Sequence, residues 1–122
     1  MQHNIGTDII EIYRIEEAID RYGERFFNRI WTEAEREMYG CRINSLAASF
    51  AAKEAVMKVL GTGNRGVAWR EIEVLNHHSG KPYIKLHGRA EKEAAKMGIM
   101  EIDISMSHSH LYATAVAIGV AG

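Results

Sequence analysis

Two carboxylates stand where a charge is costly. Asp8 lies in the short run Gly6-Thr7-Asp8-Ile9-Ile10, and Glu54 lies in Phe50-Ala51-Ala52-Lys53-Glu54-Ala55-Val56, the most apolar helical stretch of the chain. Burying either ion alone is unfavourable, and sharing a cation is one way to offset the cost. Oxygen donors with no cysteine partner favour a hard ion such as Mg²⁺, which commonly takes one or two protein carboxylates and fills its remaining positions with water and substrate phosphate. The other reading is plainer: Glu54 precedes Lys58 by four residues, the spacing of a solvent-facing helical ion pair. Residue types alone leave both open.

Residues 1–42 contain arginine and no lysine, and a guanidinium suits planar, multi-bond recognition of carboxylate or phosphate. Arg14, Arg21 and Arg25 are separated by seven and four residues, so they lie near one face if a helix continues through Gly23, with Arg29 on the same side. Such a row reads an acidic partner, or forms a solvated face offset by Glu16, Glu17, Asp20 and Glu24. In Ser107-His108-Ser109-His110 two histidines share one face of a strand, but no third or fourth zinc ligand stands at a recognised spacing, and a phosphate contact is the simpler use. The glycine-rich Gly61-Thr62-Gly63-Asn64-Arg65-Gly66 follows a helix and lacks the GxxxxGKS/T order, so by itself it is a turn and not a P-loop. Cys41 is the only cysteine, which excludes an internal disulfide and fits a reducing compartment.

These groups must be positioned by a small scaffold. At 122 residues, the chain has room for one ordinary domain, residues 1–122; 47% hydrophobic and 25% charged residues compose a soluble globular one. Fifteen basic against 16 acidic residues argue against a broad basic face for duplex nucleic acid. No stretch approaches the ~20 apolar residues that cross a bilayer, and the cytoplasm is the expected address. His3–Ile12 predicts a strand with a close backbone approach at Gly6, and Glu11–Tyr22 a helix stopped by Gly23. Thr32-Glu33-Ala34-Glu35 fits a capping box opening a helix to Tyr39, and Ser45–Leu60 predicts the central helix, closed by Gly61. Val67–Leu75 and Pro82–Leu86 predict a hairpin turning at Ser79-Gly80, Arg89–Met97 a short helix, and Ile102–Met106 and Tyr112–Val120 two further strands. The order predicts an α+β fold, with a long central helix packed on a mainly antiparallel sheet.

Taken together, Gly6-Thr7-Asp8-Ile9-Ile10-Glu11-Ile12, Phe50-Ala51-Ala52-Lys53-Glu54-Ala55 with Lys58, Gly61-Thr62-Gly63, Gly80-Lys81-Pro82 and Ser105-Met106-Ser107-His108 closely resemble the holo-acyl-carrier-protein synthase family, nearly end to end. The resemblance implies the 4′-phosphopantetheinyl transferase-like fold of the short, single-half type. It implies a magnesium-dependent enzyme that moves the 4′-phosphopantetheine arm of coenzyme A to a serine of apo acyl carrier protein, leaving adenosine 3′,5′-bisphosphate. Asp8 and Glu54 fall on the family's Mg²⁺ positions, and Lys58, the Gly61-Thr62-Gly63 loop and His108 on those that hold the coenzyme A phosphates. Arg14, Arg21 and, allowing one inserted residue, Arg25 fall on the arginines that dock an acidic helix of the carrier. Catalysis would then rest on Glu54, Lys58 and His108: Lys58 screens the leaving phosphate, and Glu54, directly or through a metal-held water, is the candidate base for the carrier serine.

The same resemblance implies a homotrimer with Asp8 and Glu54 near each subunit junction, which fits a chain too small to enclose a cofactor cleft alone. The implied partners are coenzyme A and apo acyl carrier protein, with neither nucleic acid nor membrane. One departure is Ser49, which stands where the family usually carries an arginine that helps to hold the nucleotide phosphates. Arg42 and Arg65 are the candidates to supply that charge. The alternative reading is a non-catalytic carrier-protein or nucleotide-binding module on the same scaffold; a small zinc-dependent hydrolase using the histidines is a third.

Overall fold

The computed structural model describes residues 3–122. A first strand, β1 (His3–Glu11), leads into four helices, α1 (Ile12–Tyr22), α2 (Glu24–Ile30), α3 (Glu33–Tyr39) and α4 (Ile43–Leu60). A 3₁₀ turn (Trp69–Glu71), β2 (Ile72–Asn76), β3 (Pro82–Leu86), α5 (Gly88–Lys96), β4 (Ile99–His108) and β5 (Tyr112–Ala121) complete the chain. β5 pairs antiparallel with both β1 and β4, giving the order β1-β5-β4, and β2 with β3 forms a separate antiparallel hairpin. The class is α+β with a long helix on antiparallel strands, as expected from the sequence, but the strands divide into two sheets.

α4 crosses the inner face of the three-stranded sheet. Its Ala51, Ala52, Ala55, Val56 and Val59 are buried there, with Ala113, Ala115 and Ala117 of β5 and Ile102 and Ile104 of β4. Alanine on both surfaces lets the backbones approach closely, and two glycines take the approach further. A Cβ on Gly6 would run into the carbonyl of Ala55, and one on Gly119 would lie 2.8 Å from Cγ1 of Val59. Because side chains alternate along a strand, Asp8 and Ile10 share the inner face with Gly6, while Ile5, Thr7 and Ile9 face outward and are exposed.

Gly23, at φ 58°, stops α1 as expected and separates it from α2, so the condition for one continuous arginine face is not met. Two expectations are corrected. α4 begins at Ile43, ahead of Ser45, and is buried on nearly every side. The strand expected over 67–75 begins only at Ile72. Glu71 folds back to accept the N–H groups of Ala68 and Arg89, each at 2.6 Å, and Lys53 takes the carbonyls of Trp69 and Ile72, which curls Trp69–Glu71 into a turn. The capping box forms as expected: Thr32 Oγ1 accepts the Glu35 N–H, and the Glu35 carboxylate accepts the Thr32 N–H.

Candidate active site

Where α4 and β1 touch, Asp8, Glu54 and Lys58 meet. Lys58, in the last turn of α4, spends its ammonium on β1 and not on Glu54: Nζ donates to the Thr7 carbonyl at 2.7 Å and lies 3.2 Å from Asp8 Oδ1. Asp8 is mostly buried and Lys58 is half-exposed. The Glu54 carboxyl is pushed above the ordinary carboxylate range, first by burial and then by the charge of Asp8, with Lys58 pulling the other way. Two carboxylates stand near one ammonium, which bonds only Asp8, and they open into a cleft of about 490 Å³ walled by Ile9, Ile10, Glu11, Arg14 and Tyr112. The donor set suits a hard cation: two carboxylates, no sulfur, and a cleft with space for water and phosphate.

His108 lies elsewhere. Within one chain it lines a second cleft, of about 560 Å³, between the start of α4, the β2–β3 turn and the end of β4, with Arg42, Ser45, Lys81, Ser105 and Ser107 among its walls. β5 separates β1 from β4, so two strand spacings, about 10 Å, stand between the backbones that carry Asp8 and His108. The expected catalytic set Glu54, Lys58 and His108 is thus split between two clefts. His110 lines a third, with Glu11 and Tyr13, so the two histidines do not converge, and among the described residues no group of three or more His, Cys, Asp or Glu side chains forms. No zinc centre is assembled from them.

The Gly61-Thr62-Gly63 loop closes α4. Gly61, at φ 72°, caps the helix through its N–H to the Lys58 and Met57 carbonyls; the Thr62 N–H goes to the Met57 carbonyl, and its hydroxyl to the Gly63 carbonyl. Those donors are spent, and a helix C-terminus carries partial negative charge, so the loop is no ready-made anion cradle. Lys58 in the last turn complements that charge.

Ser49 is buried, accepting the Trp31 indole N–H at 2.8 Å and donating to the Leu46 carbonyl at 2.9 Å. It is a packing residue of the α2–α4 contact. Of the two candidates for the charge it lacks, Arg42 lines the His108 cleft, whereas Arg65 is exposed in the loop after α4. Arg42 uses two N–H groups on the Met38 and Tyr39 carbonyls at the end of α3, leaving the rest of its fork for the cleft.

Arg14 and Arg21 share a face of α1, and Arg14 pairs with Glu11 at 2.9 Å, which holds its guanidinium above the usual value. Beyond the break at Gly23, Arg25 and Arg29 border a groove of about 450 Å³ with Tyr22, Phe26, Phe50 and Trp69. Phe50 stacks on both Phe26 and Trp69 there. Sequence reasoning did not anticipate the groove, nor the buried pair Lys53–Glu35 immediately behind Glu54. The available signal for the pair was a lysine inside the most apolar helix. Among the described residues no helix is long and apolar enough to cross a membrane.

Residues 4–117 match the family model of the 4′-phosphopantetheinyl transferase superfamily. The chain is 48% identical over 122 residues to the holo-acyl-carrier-protein synthase of Herpetosiphon aurantiacus, covering 94% of this chain and 96% of that protein. It also resembles the crystal structure of holo-acyl-carrier-protein synthase from Neisseria meningitidis, with a TM-score of 0.88, 35% identity and 96% and 97% of the two chains covered. The Helicobacter pylori enzyme, solved in complex with coenzyme A, gives a TM-score of 0.87 at 28% identity, with 95% and 99% covered.

Proposed function

The chain belongs to the 4′-phosphopantetheinyl transferase superfamily, and on that premise we propose that the Asp8–Glu54–Lys58 cleft is where the arm is transferred. The activity is that of a holo-acyl-carrier-protein synthase: 4′-phosphopantetheine passes from coenzyme A to a serine of apo acyl carrier protein, leaving adenosine 3′,5′-bisphosphate. The observation that carries the assignment is Lys58 reaching across to Asp8 beside the half-buried Glu54, at an open cleft.

Asp8 and Glu54 are the residues that would hold Mg²⁺, which when bound supplies positive charge to the phosphate oxygens. The residues of the chain do the rest. Phosphoryl transfer needs mainly alignment and charge neutralisation. Lys58 swings from Asp8 to the leaving phosphate and offsets the charge that grows on its oxygen. Glu54, directly or through a metal-held water, takes the proton of the attacking carrier serine. In the loop after α4, Gly61 and Gly63 contribute by lacking side chains, which lets a nucleotide come close to Lys58. Arg42, Lys81 and His108 hold the nucleotide phosphates, with Arg42 supplying the charge absent at Ser49.

Those two clefts are joined by assembly. The outer face of the three-stranded sheet exposes Ile5, Ile9, Val116 and Ile118, an apolar surface suited to self-association. A homotrimer built on it sets the His108 cleft of one copy against the Asp8–Glu54 cleft of the next, so that no copy is active alone. The Arg14 and Arg21 face of α1, continued across the break by Arg25, receives an acidic helix of the carrier. The enzyme works in the cytoplasm, where its exposed, unpaired Cys41 is suited to a reducing medium.

The decisive experiment incubates the chain with apo acyl carrier protein, coenzyme A and Mg²⁺ and follows the carrier by mass spectrometry. A mass gain equal to the arm, lost on chelation of divalent metal, is expected. No gain on any carrier would overturn the assignment.

A further inference from the structure

The most deeply buried charges of the chain take no part in the chemistry above. Lys53 and Glu35 expose no side-chain surface and lie 2.8 Å apart. Lys53 Nζ also donates to the carbonyls of Trp69 at 3.1 Å and Ile72 at 2.5 Å. Glu35 accepts the Val74 N–H on Oε2 at 2.7 Å and the Thr32 N–H on Oε1 at 2.9 Å. Thr32 Oγ1 in turn donates to Glu73 at 2.5 Å. The network therefore ties α4 to α3, to the 3₁₀ turn and to β2, and no buried side-chain nitrogen or oxygen among the described residues lacks a partner.

A buried ion pair is a poor source of stability, because desolvation of the two charges roughly cancels their attraction. What it supplies is direction. Around Glu54, α4 meets the sheet through Ala51, Ala52 and Ala55, small side chains that allow close approach; the larger Val56 and Val59 and the Lys58 contact with β1 hold the turn that follows, and Lys53 adds a polar anchor beside Glu54 itself. Lys53 immediately precedes Glu54, and neighbouring helical side chains point about 100° apart, so fixing one fixes the other. At a helix radius of about 5–6 Å, a turn of about 20° carries a carboxylate some 2 Å. A misplacement of about 1 Å already costs on the order of 10²-fold in rate.

We propose that the Lys53–Glu35 pair, anchored on the Trp69 and Ile72 carbonyls, is a positioning device that sets the rotation of α4 so that Glu54 faces Asp8. The inference rests on the assignment of Glu54 to the transfer site. Neither residue touches the substrate; both act through the helix.

The test replaces both charges together, Lys53→Met with Glu35→Gln, so that no lone ion stays buried and the glutamine carbonyl still accepts the Val74 N–H. Mn²⁺ binding is read by electron paramagnetic resonance in the presence of coenzyme A, and kcat and the KM for carrier protein are measured separately. The variant should melt cooperatively and keep its carrier KM within about twofold, while kcat falls about 10–100-fold and the Mn²⁺ Kd rises at least about fivefold. Glu35→Asp, which keeps both charges but shortens the acid by one methylene so that α4 must shift to keep them paired, should change kcat and Mn²⁺ affinity the same way; it carries the test if the double variant does not fold. Folded variants with wild-type kcat and Mn²⁺ affinity overturn the positioning role alone. A wild type that neither binds Mn²⁺ nor modifies carrier overturns the site assignment, and the inference with it.

Discussion

Lys58 Nζ lies 3.2 Å from Asp8 Oδ1, a contact across 50 positions of sequence that fastens the end of α4 to β1. The ammonium is bonded to Asp8, and Glu54 is the carboxylate left short of countercharge. Its carboxyl is raised by burial and by Asp8. A carboxyl whose folded pKa lies above its unfolded one favours folding while protonated and opposes it once ionised.

The first prediction follows from that sign. Without divalent metal, the wild type should lose stability as pH rises from the ordinary carboxylate range through the raised value of Glu54, and stay penalised at neutral pH. Glu54→Gln cannot ionise, so it should melt higher than the wild type at pH 7, with the gap closing at acid pH where both side chains are neutral. Added Mg²⁺ should raise the melting temperature of the wild type only, and transfer by the variant should fall on the order of 10²–10⁴-fold. Melting curves across pH, with and without Mg²⁺, check this; a variant less stable than the wild type at pH 7 without metal contradicts it.

Gly6 is the second point of leverage. Its Cα sits so close to the Ala55 carbonyl that any Cβ collides with main chain, which cannot move without lifting α4 from β1. Gly6→Ala should cost about 1–3 kcal/mol of stability, as overpacking does. It should also separate Glu54 and Lys58 from Asp8, so kcat should fall further than the lost stability explains. Denaturant melts beside kinetics at a temperature where the variant is fully folded separate the two effects.

Much of this was legible before the structure. Gly6 announces a close approach because no other residue fits, and Thr32 with Glu35 announces a helix start because both halves of the capping box lie within four residues. What local pattern could not show is what distant partners decide. The turn at Trp69–Glu71 replaces a strand because Lys53, Arg89 and Ala68 claim its polar groups. Glu35 reads as a cap from its neighbours, yet its second role, with Lys53, requires α3 and α4 already packed. The break between Arg21 and Arg25 was legible, since Gly23 reads as a helix stop and adopts the positive φ that glycine takes cheaply; how α2 is set beyond it was not. The division of the site is of the same kind: Glu54 and His108 belong to one motif set, and only the strand order shows that one chain keeps them apart.

For the arginines, charge pairing between exposed groups chiefly raises association rate and is weakened by salt. Arg14→Glu with Arg21→Glu should raise the apparent KM for carrier protein by about tenfold or more, with the KM for coenzyme A nearly unchanged. The difference between wild type and variant should shrink as ionic strength rises. Steady-state kinetics with each substrate varied at low and high salt decide it, and equal effects on both KM values exclude a docking role.

Arg42 permits a sharper separation, because two explanations of Ser49 predict different substrates. If the cleft of Arg42, Lys81 and His108 receives the nucleotide phosphates, Arg42→Ala should raise the KM for coenzyme A at least about tenfold, as loss of a charge-assisted contact does. It should have little effect on 3′-dephospho-coenzyme A, which lacks one of those phosphates, so the preference between the two substrates should collapse. Arg65→Ala, in the exposed loop, should leave that preference intact. Arg42 also closes the end of α3 through the Met38 and Tyr39 carbonyls, so a fall in melting temperature by itself is expected and uninformative. The ratio of kcat/KM for the two substrates is the discriminating measurement, since a merely loosened fold weakens both alike.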